Sequence, residues 1–217
     1  MKKSLLVLAL LFSLVSFAQS PVDKSFPPEE LFALGSYYYP EQWDSSQWER
    51  DLKKMSEMGI KFTHFAEFAW SMMEPEEGRY DFAGQKDIAA FCRLAQENGM
   101  YVIVRPGPYV CSEWEMGGLP WWLLKKEDIK LRTNDPYFLE RTKLFMNEIG
   151  KQLADLQVTR GGNIIMVQVE NEYGAYATDK AYIANIRDAV KAAGFTDVPL
   201  FQCDWSSTFQ LNGLDDL

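Results

Sequence analysis

The chain has 217 residues, 47% of them hydrophobic, with a formal net charge of -9 and a sequence pI near 4.8. That length suits one domain or part of a larger one, and the acidic balance argues against nucleic acid as a partner, because no excess of basic groups would neutralise phosphates. Three cysteines exclude a fully paired disulfide framework, and the single histidine leaves zinc without ligands at the usual spacing. We therefore expect neither a cofactor nor a metal.

Residues 1–18 have the pattern of a signal peptide. Lys2 and Lys3 precede an apolar run from Leu5 to Val15, and Ser16 and Ala18 supply small residues in an A-x-A-like arrangement. The apolar run is too short to span a bilayer, and no later segment approaches a transmembrane length. We expect cleavage after Ala18, export of the mature protein and no membrane span.

Strand-like and helix-like segments alternate along the rest of the chain. Glycine or proline stands at many of their ends, and the first helix has an apolar stripe at Trp48, Leu52 and Met55, with Ser45 or Ser46 as its cap. The longest helix is predicted to begin with Asp135 as its cap and Pro136 at its first position. Strands are predicted at 31–40, 61–70, 100–108, 163–174 and 198–205, and helices at 45–59, 87–99, 136–157 and 179–195.

Near-continuous apolar strands between helices predict parallel pairing buried on both faces, in a doubly wound sheet or an eight-stranded barrel. No glycine-rich phosphate-binding turn follows a strand. Polar or aromatic side chains instead stand at carboxyl ends of strands, where a TIM barrel has its active site. The predicted class is therefore α/β, a (β/α)8 TIM barrel over residues 26–217. Because eight strands with their helices take about 250 residues, we expect a barrel truncated after about five strands. The strand-end residues are Tyr38, Tyr39, Glu41, Glu67, Trp70, Arg105, Tyr109, Asn171, Glu172, Asp204 and Trp205.

The most informative stretch is the apolar run from Ile164 to Val169, which ends abruptly in "ENEYG". Strand alternation predicts that Gln168, Glu170 and Glu172 share one side and that Asn171 lies on the other. Because burying a carboxylate is costly, these side chains either leave the core at the strand end or stay there for chemistry. From the Asn-Glu dipeptide alone, a salt bridge in a loop is as good an interpretation as a catalytic acid.

Two long motifs, "RPGPYVCSEWEMGGLPWWLL" and "IIMVQVENEYGAY", resemble glycoside hydrolase family 35, a β-galactosidase family of barrel enzymes. The resemblance covers about Leu31 to Leu217. It implies a retaining glycosidase that acts on a carbohydrate substrate and releases terminal β-galactose. The family's nucleophile is a glutamate after the seventh strand, which the resemblance places beyond Leu217, so we expect the chain alone to be inactive.

The same resemblance assigns roles to individual residues. It implies that Glu172 is the proton donor and later the general base, and that Asn171 hydrogen-bonds the sugar 2-hydroxyl. It also implies that Glu113 and the backbone of Cys111 and Ser112 bind galactose hydroxyls. The tryptophans of "LPWWLL" are interpreted as wall and packing, with at most one tryptophan facing a ligand.

The second strand departs from this family. Glu67 stands where family 35 usually has a tyrosine, and its stretch "EFAWSMMEPEEGRYDF" resembles glycoside hydrolase family 42, as does "YYYPEQW" with Tyr39. Glu67 is then either a substitute sugar contact or the partner of Arg105 in a buried ion pair, and Tyr39 is a further candidate sugar contact. Two other functions stay open, a related glycosidase of other sugar specificity and a non-catalytic sugar-binding barrel.

Overall fold

The computed structural model describes residues 34–65, 69–208, 211 and 213–217 of the chain. Five strands form one sheet in the order β1-β2-β3-β4-β5, and every neighbouring pair is parallel. The predicted signal peptide and Glu67 both lie outside the described residues. The strands are β1 (Gly35–Tyr38), β2 (Phe62–Phe65), β3 (Tyr101–Val104), β4 (Ile164–Gln168) and β5 (Leu200–Phe201).

The helices alternate with the strands, as the sequence predicts. In the part of the chain that the structure describes, they are α1 (Trp48–Glu57), α2 (Trp70–Met73), α3 (Ile88–Glu97), α4 (Pro136–Leu153), α5 (Tyr173–Tyr176) and α6 (Lys180–Ala192).

Of the two helix caps predicted from the sequence, one is confirmed and one is wrong. The Asp135 carboxylate accepts the backbone N–H of Phe138 at 3.0 Å, which confirms the cap predicted for α4. The prediction of Ser45 or Ser46 as the cap of α1 is wrong. Asp44 accepts the Ser46 N–H at 2.9 Å and begins a short 3-10 turn that leads into α1. A carboxylate one residue earlier already satisfies that first donor, so the serines lie inside the turn.

The consecutive strand order decides between the two predicted architectures. A doubly wound sheet reverses direction at a switch point, whereas right-handed crossovers that always step the same way put every helix on one face. Val102, Val104 and Val167 pack in the main core with helix side chains. Tyr37 and Met166, which share the alternate register, lie on the opposite face and are not fully buried. The sheet is therefore of the predicted TIM-barrel type.

A buried polar network holds together a packed layer, built around Glu74, that we call the wall. The Glu74 carboxylate, with 0% of its side chain exposed, accepts the Trp70 indole N–H at 2.6 Å, the Gly78 N–H at 2.7 Å and an Arg141 guanidinium N–H at 2.8 Å. Its backbone carbonyl accepts the Trp122 indole N–H at 2.8 Å. Because Trp122 belongs to the long connection after β3, this network joins that connection to α2 and α4. Trp122 is 1% exposed, which confirms that it is part of the wall.

Candidate active site

A cleft of about 220 Å³ opens at the carboxyl ends of β1, β3 and β4. It brings together residues that are far apart in the sequence, because parallel strands end at the same edge of the sheet. Glu67, a further predicted site residue, lies outside the described part of the chain. The predicted site residues that line the cleft are Tyr39, Cys111, Ser112, Glu113, Asn171 and Glu172.

The backbone turns sharply where β4 ends. Glu170 and Glu172 have φ angles of 61° and 45°, in the left-handed region that non-glycine residues rarely adopt. This turn breaks the alternation expected of a strand, so the prediction that Gln168, Glu170 and Glu172 share one side is wrong. Glu170 is only 2% exposed and turns into the protein interior, whereas Asn171 and Glu172 line the cleft. Backbone strain of this kind is concentrated at functional sites.

Asn171 is held by two donors on the same oxygen atom. Its Oδ1 accepts a hydrogen bond from Nη2 of Arg105 and another from Nε2 of Gln168 at 3.3 Å. An amide oxygen has two lone pairs, so these contacts saturate Oδ1 and fix which way the amide faces. The Nδ2 group is then the donor that Asn171 can offer to a ligand in the cleft.

Glu172 lies on the turn between β4 and the short helix α5. Its backbone N–H donates to the carbonyl oxygen of Cys203 at 3.0 Å, and the Gly174 N–H donates to the Asp204 carboxylate at 2.6 Å. Both contacts connect this turn to the segment after β5. The Glu172 side chain itself is exposed at the cleft, so its carboxyl group is accessible to a substrate.

The cleft has two walls, the turn after β4 that carries Asn171 and Glu172, and the connection after β3. Cys111, Ser112 and Glu113 have consecutive φ angles of 67°, 54° and 52°, a run of left-handed conformations in which no residue is glycine. The Ser112 hydroxyl donates to the Val110 carbonyl at 3.2 Å, and Arg105 donates to the same oxygen at 3.3 Å. Arg105 therefore contacts both walls of the cleft, since it also donates to Asn171.

Three predicted site residues border a second, larger cavity of about 510 Å³. Tyr39, Ser112 and Glu113 line both spaces, and Trp114 lines only the larger one. The Trp114 indole N–H donates to the Ser71 hydroxyl at 3.1 Å, which holds the ring in place. Of the "PWW" tryptophans, Trp122 is buried in the wall and Trp121 is 57% exposed.

A buried ion pair lies beneath the cleft. Arg132 donates to both carboxylate oxygens of Glu170, at 3.2 and 2.7 Å, and the two side chains are 7% and 0% exposed. Sequence reasoning missed this pair, as it missed Gln168. Arg132 lies in a connection without periodic pattern, and 38 residues separate it from Glu170. The one available signal was that a buried glutamate beside an apolar strand needs a cationic partner.

The described residues also bear on metals and membranes. Within 34–65, 69–208, 211 and 213–217, no three His, Cys, Asp or Glu side chains are grouped as metal ligands. None of the helices in these ranges is long and apolar enough to span a bilayer. Cys92, Cys111 and Cys203 are free thiols, and the last two line the cleft or its margin.

Relatives of known sequence are similar to this chain over most of its length. The family model described as Glycosyl hydrolases family 35 matches residues 29–216. A beta-galactosidase from Xanthomonas manihotis is 42% identical over 169 residues, which cover 78% of this chain and 28% of that protein. The Homo sapiens beta-galactosidase is 42% identical over 158 residues, which cover 72% of this chain and 23% of that protein. The chain thus spans about a quarter of the length of these relatives.

Solved structures of similar fold are barrel glycosidases. A beta-galactosidase from Halorubrum lacusprofundi superposes with a TM-score of 0.53 at 24% identity, covering 67% of this chain and 22% of that chain. A GH5_18 protein from Streptomyces cattleya, in complex with GlcNAc, gives a TM-score of 0.61 at 16% identity and covers 81% and 45% of the two chains. At these identities the likeness concerns the fold alone. By the family model and the curated relatives, the chain belongs to glycosyl hydrolases family 35.

Proposed function

We propose that the complete gene product containing this chain is a retaining glycosidase that releases terminal β-galactose from glycans. The proposal rests on the joint placement of Asn171, Glu172 and Glu113 in one cleft at the carboxyl ends of β3 and β4. An enzyme of this class needs a general acid beside the scissile bond and hydrogen-bonding groups that orient the sugar. Family membership supports the reaction, and the beta-galactosidase relatives support galactose as the sugar.

In this proposal Glu172 protonates the glycosidic oxygen as the aglycone leaves. It then removes a proton from the water that hydrolyses the glycosyl-enzyme intermediate. Its exposed position on the turn after β4 supports both roles, since the leaving group and the water must each reach it. The second carboxylate, about 5–5.5 Å away across the sugar in retaining enzymes, would by the family resemblance come from the end of the seventh strand of the barrel.

The neighbouring residues would hold the sugar. Asn171 would donate from Nδ2 to the 2-hydroxyl, a contact that strengthens as the transition state forms, while Arg105 and Gln168 hold its Oδ1. Glu113, the side chain of Tyr39 and the backbone at Cys111 and Ser112 would bind the other hydroxyls. For Glu67 both interpretations stay as proposals, a sugar contact or an ion pair with Arg105.

A substrate panel tests this function. Purified complete gene product should hydrolyse nitrophenyl β-galactoside far faster than the corresponding β-glucoside, β-mannoside, β-N-acetylglucosaminide or α-arabinoside. NMR should show β-galactose as the first product, because a retaining enzyme preserves the anomeric configuration. A preference for another sugar would contradict the proposed specificity. Binding of galactose without any turnover would instead favour the sugar-binding barrel.

Glu113→Ala is expected to lower kcat/KM for β-galactosides by about 10- to 150-fold, which corresponds to the loss of about 1.5–3 kcal/mol from charged hydrogen bonds to the sugar. Added azide or formate should not restore the rate, since the variant keeps its acid and its nucleophile. Rates with and without azide, measured on the purified variant, check both statements. Restoration by azide would show that Glu113 has a catalytic role and not a binding one.

We also propose that the protein is exported, on the strength of the signal-peptide pattern in residues 1–18. Amino-terminal sequencing of the protein produced by its native host should begin at Gln19. A mature protein that retains Met1 would contradict the proposal.

A further inference from the structure

We propose that Arg132 and Glu170 are positioning residues, which hold Asn171 and Glu172 in the geometry required for proton transfer to the leaving group. The proposal rests on the function proposed above. Together with Tyr182, these two residues form a cluster that we name the Asn171 clamp. Both charged side chains lie beneath the cleft, 7% and 0% exposed, so they act on the substrate through the backbone that they hold.

The clamp holds the peptide groups on both sides of Asn171. Oε2 of Glu170 accepts the Asn171 backbone N–H at 2.8 Å. Nη2 of Arg132 donates to the Asn171 carbonyl oxygen at 2.7 Å and to Oε2 of Glu170 at the same distance. The Asn171 carbonyl belongs to the peptide bond that leads into Glu172. One ion pair therefore fixes the orientation of the residue that carries the acid.

The backbone at this point requires such a constraint. Arg132, Glu170 and Glu172 all have positive φ angles, of 52°, 61° and 45°. Non-glycine residues persist in this conformation only where the surroundings enforce it. Because a buried ion pair adds little to stability compared with well-packed apolar residues, the geometry that this pair imposes is the better explanation for its presence.

Aromatic rings place Arg132 between the two walls of the cleft. Its guanidinium lies 3.9 Å from the ring centroid of Tyr109 and 4.7 Å from that of Tyr176. Tyr109 belongs to the connection after β3 that carries Glu113, and Tyr176 belongs to α5, which follows Glu172. Arg132 thus couples the proposed sugar-binding wall to the proposed acid.

The charged groups of the Asn171 clamp are stabilised by their neighbours in the same cluster. The Tyr182 hydroxyl donates to Oε1 of Glu170 at 2.6 Å. Burial, and then the negative charge of Glu170, raise the pKa of Tyr182 well above its ordinary value, so Tyr182 stays a neutral donor. Burial by itself would lower the pKa of Arg132, but the charge and hydrogen bonds of Glu170 raise it overall. Arg132 therefore stays a cation at neutral pH.

The decisive measurement is a ratio of kcat/KM values in the complete gene product. The leaving group of lactose is a sugar, which must be protonated as it departs. The acidic phenol of an activated aryl β-galactoside departs with little protonation. Arg132→Lys keeps the charge but loses the planar fork that reaches Glu170 and the Asn171 carbonyl together. We expect kcat/KM for lactose, relative to the activated aryl galactoside, to fall by about tenfold, because a misplaced acid loses part of its catalytic contribution.

A merely structural role would not move this ratio, because partial unfolding removes activity on both substrates equally. The matched control is Arg141→Lys, which alters another buried ion pair, with Glu74 at 2.8 Å, in the wall. Its ratio should stay within about twofold of wild type. The proposal would be overturned if Arg132→Lys lowered kcat/KM equally for both substrates. It would also be overturned if Arg141→Lys changed the ratio of the two kcat/KM values as much as Arg132→Lys does.

Tyr182→Phe keeps the proposal testable if Arg132→Lys does not fold. It removes one donor to Glu170 but retains the ring, whose centroid lies 4.6 Å from that of Tyr173. Tyr182→Phe should also lower kcat/KM for lactose relative to the aryl galactoside, by a smaller factor than Arg132→Lys. An unchanged ratio would then overturn the proposal. Wild-type protein inactive on both substrates would overturn the proposed function itself, which is a distinguishable result.

Discussion

Glu172→Gln is expected to lower kcat/KM for lactose by about 10²- to 10⁴-fold, the range that a general acid contributes. Glutamine has the same size and keeps the hydrogen bond to a sugar, but it cannot supply a proton to the glycosidic oxygen. Galactose affinity should therefore change little. Aryl β-galactosides with acidic phenols need less protonation, so their first step should be slowed far less.

The same variant has a second diagnostic property. Glu172 would also be the base that activates water, so hydrolysis of the glycosyl-enzyme intermediate should slow as well. Azide needs no base, and it should restore turnover of the activated aryl substrate with galactosyl azide as the product. Steady-state rates with lactose and with the aryl galactoside, each with and without azide, separate these effects. Near-normal lactose turnover would remove Glu172 from the acid role.

Glu74→Leu is expected to lower the free energy of unfolding by about 3–5 kcal/mol, the cost of breaking a buried ion pair on one side. The change leaves Arg141, whose side chain is 13% exposed, without its closest carboxylate. It also removes the acceptor of the Trp70 indole N–H and of the Gly78 N–H. Urea unfolding of the complete gene product, followed by tryptophan fluorescence, measures the loss.

Glu77→Leu is the matched control, because Glu77 contacts the same arginine at 3.5 Å but is 43% exposed. A surface ion pair contributes about 0–1 kcal/mol, so this variant should unfold close to wild type. Adding Arg141→Met to Glu74→Leu should recover part of the loss, since the remaining buried charge is removed. Equal unfolding midpoints for Glu74→Leu and Glu77→Leu would show that the wall does not depend on the buried carboxylate.

The fold was predictable because its signals are local. Apolar stripes, the Asp135 cap and apolar strands each lie within a few residues, and alternating strands and helices restrict the topology to very few possibilities. The placement of Tyr39, Asn171 and Glu172 at one edge followed from the same rule, since parallel strands end there together, whereas Glu113 was assigned to the site only by the resemblance to family 35. The strand-end rule and the resemblance together therefore named six of the residues that line the cleft, which are Tyr39, Cys111, Ser112, Glu113, Asn171 and Glu172.

The support beneath the cleft was not predictable, because it depends on backbone conformations that the sequence pattern does not reveal. Strand alternation assigns Glu170 to the side of Glu172, but the positive φ angles at both residues turn Glu170 into the interior. Its partner Arg132 comes from a connection without periodicity. A contact between an irregular loop and a strained turn leaves no local signal, and only the folded structure reveals it.

We propose that the cleft places a terminal β-galactoside with its scissile bond at Glu172. A crystal structure of the complete gene product carrying Glu172→Gln, soaked with lactose, tests this placement. We expect intact lactose with its glycosidic oxygen within hydrogen-bonding distance of the side chain at position 172, its 2-hydroxyl beside Nδ2 of Asn171, and Glu113 on the galactose hydroxyls. Lactose bound in the cleft with the glycosidic oxygen facing away from position 172, or bound elsewhere on the protein, would contradict the account.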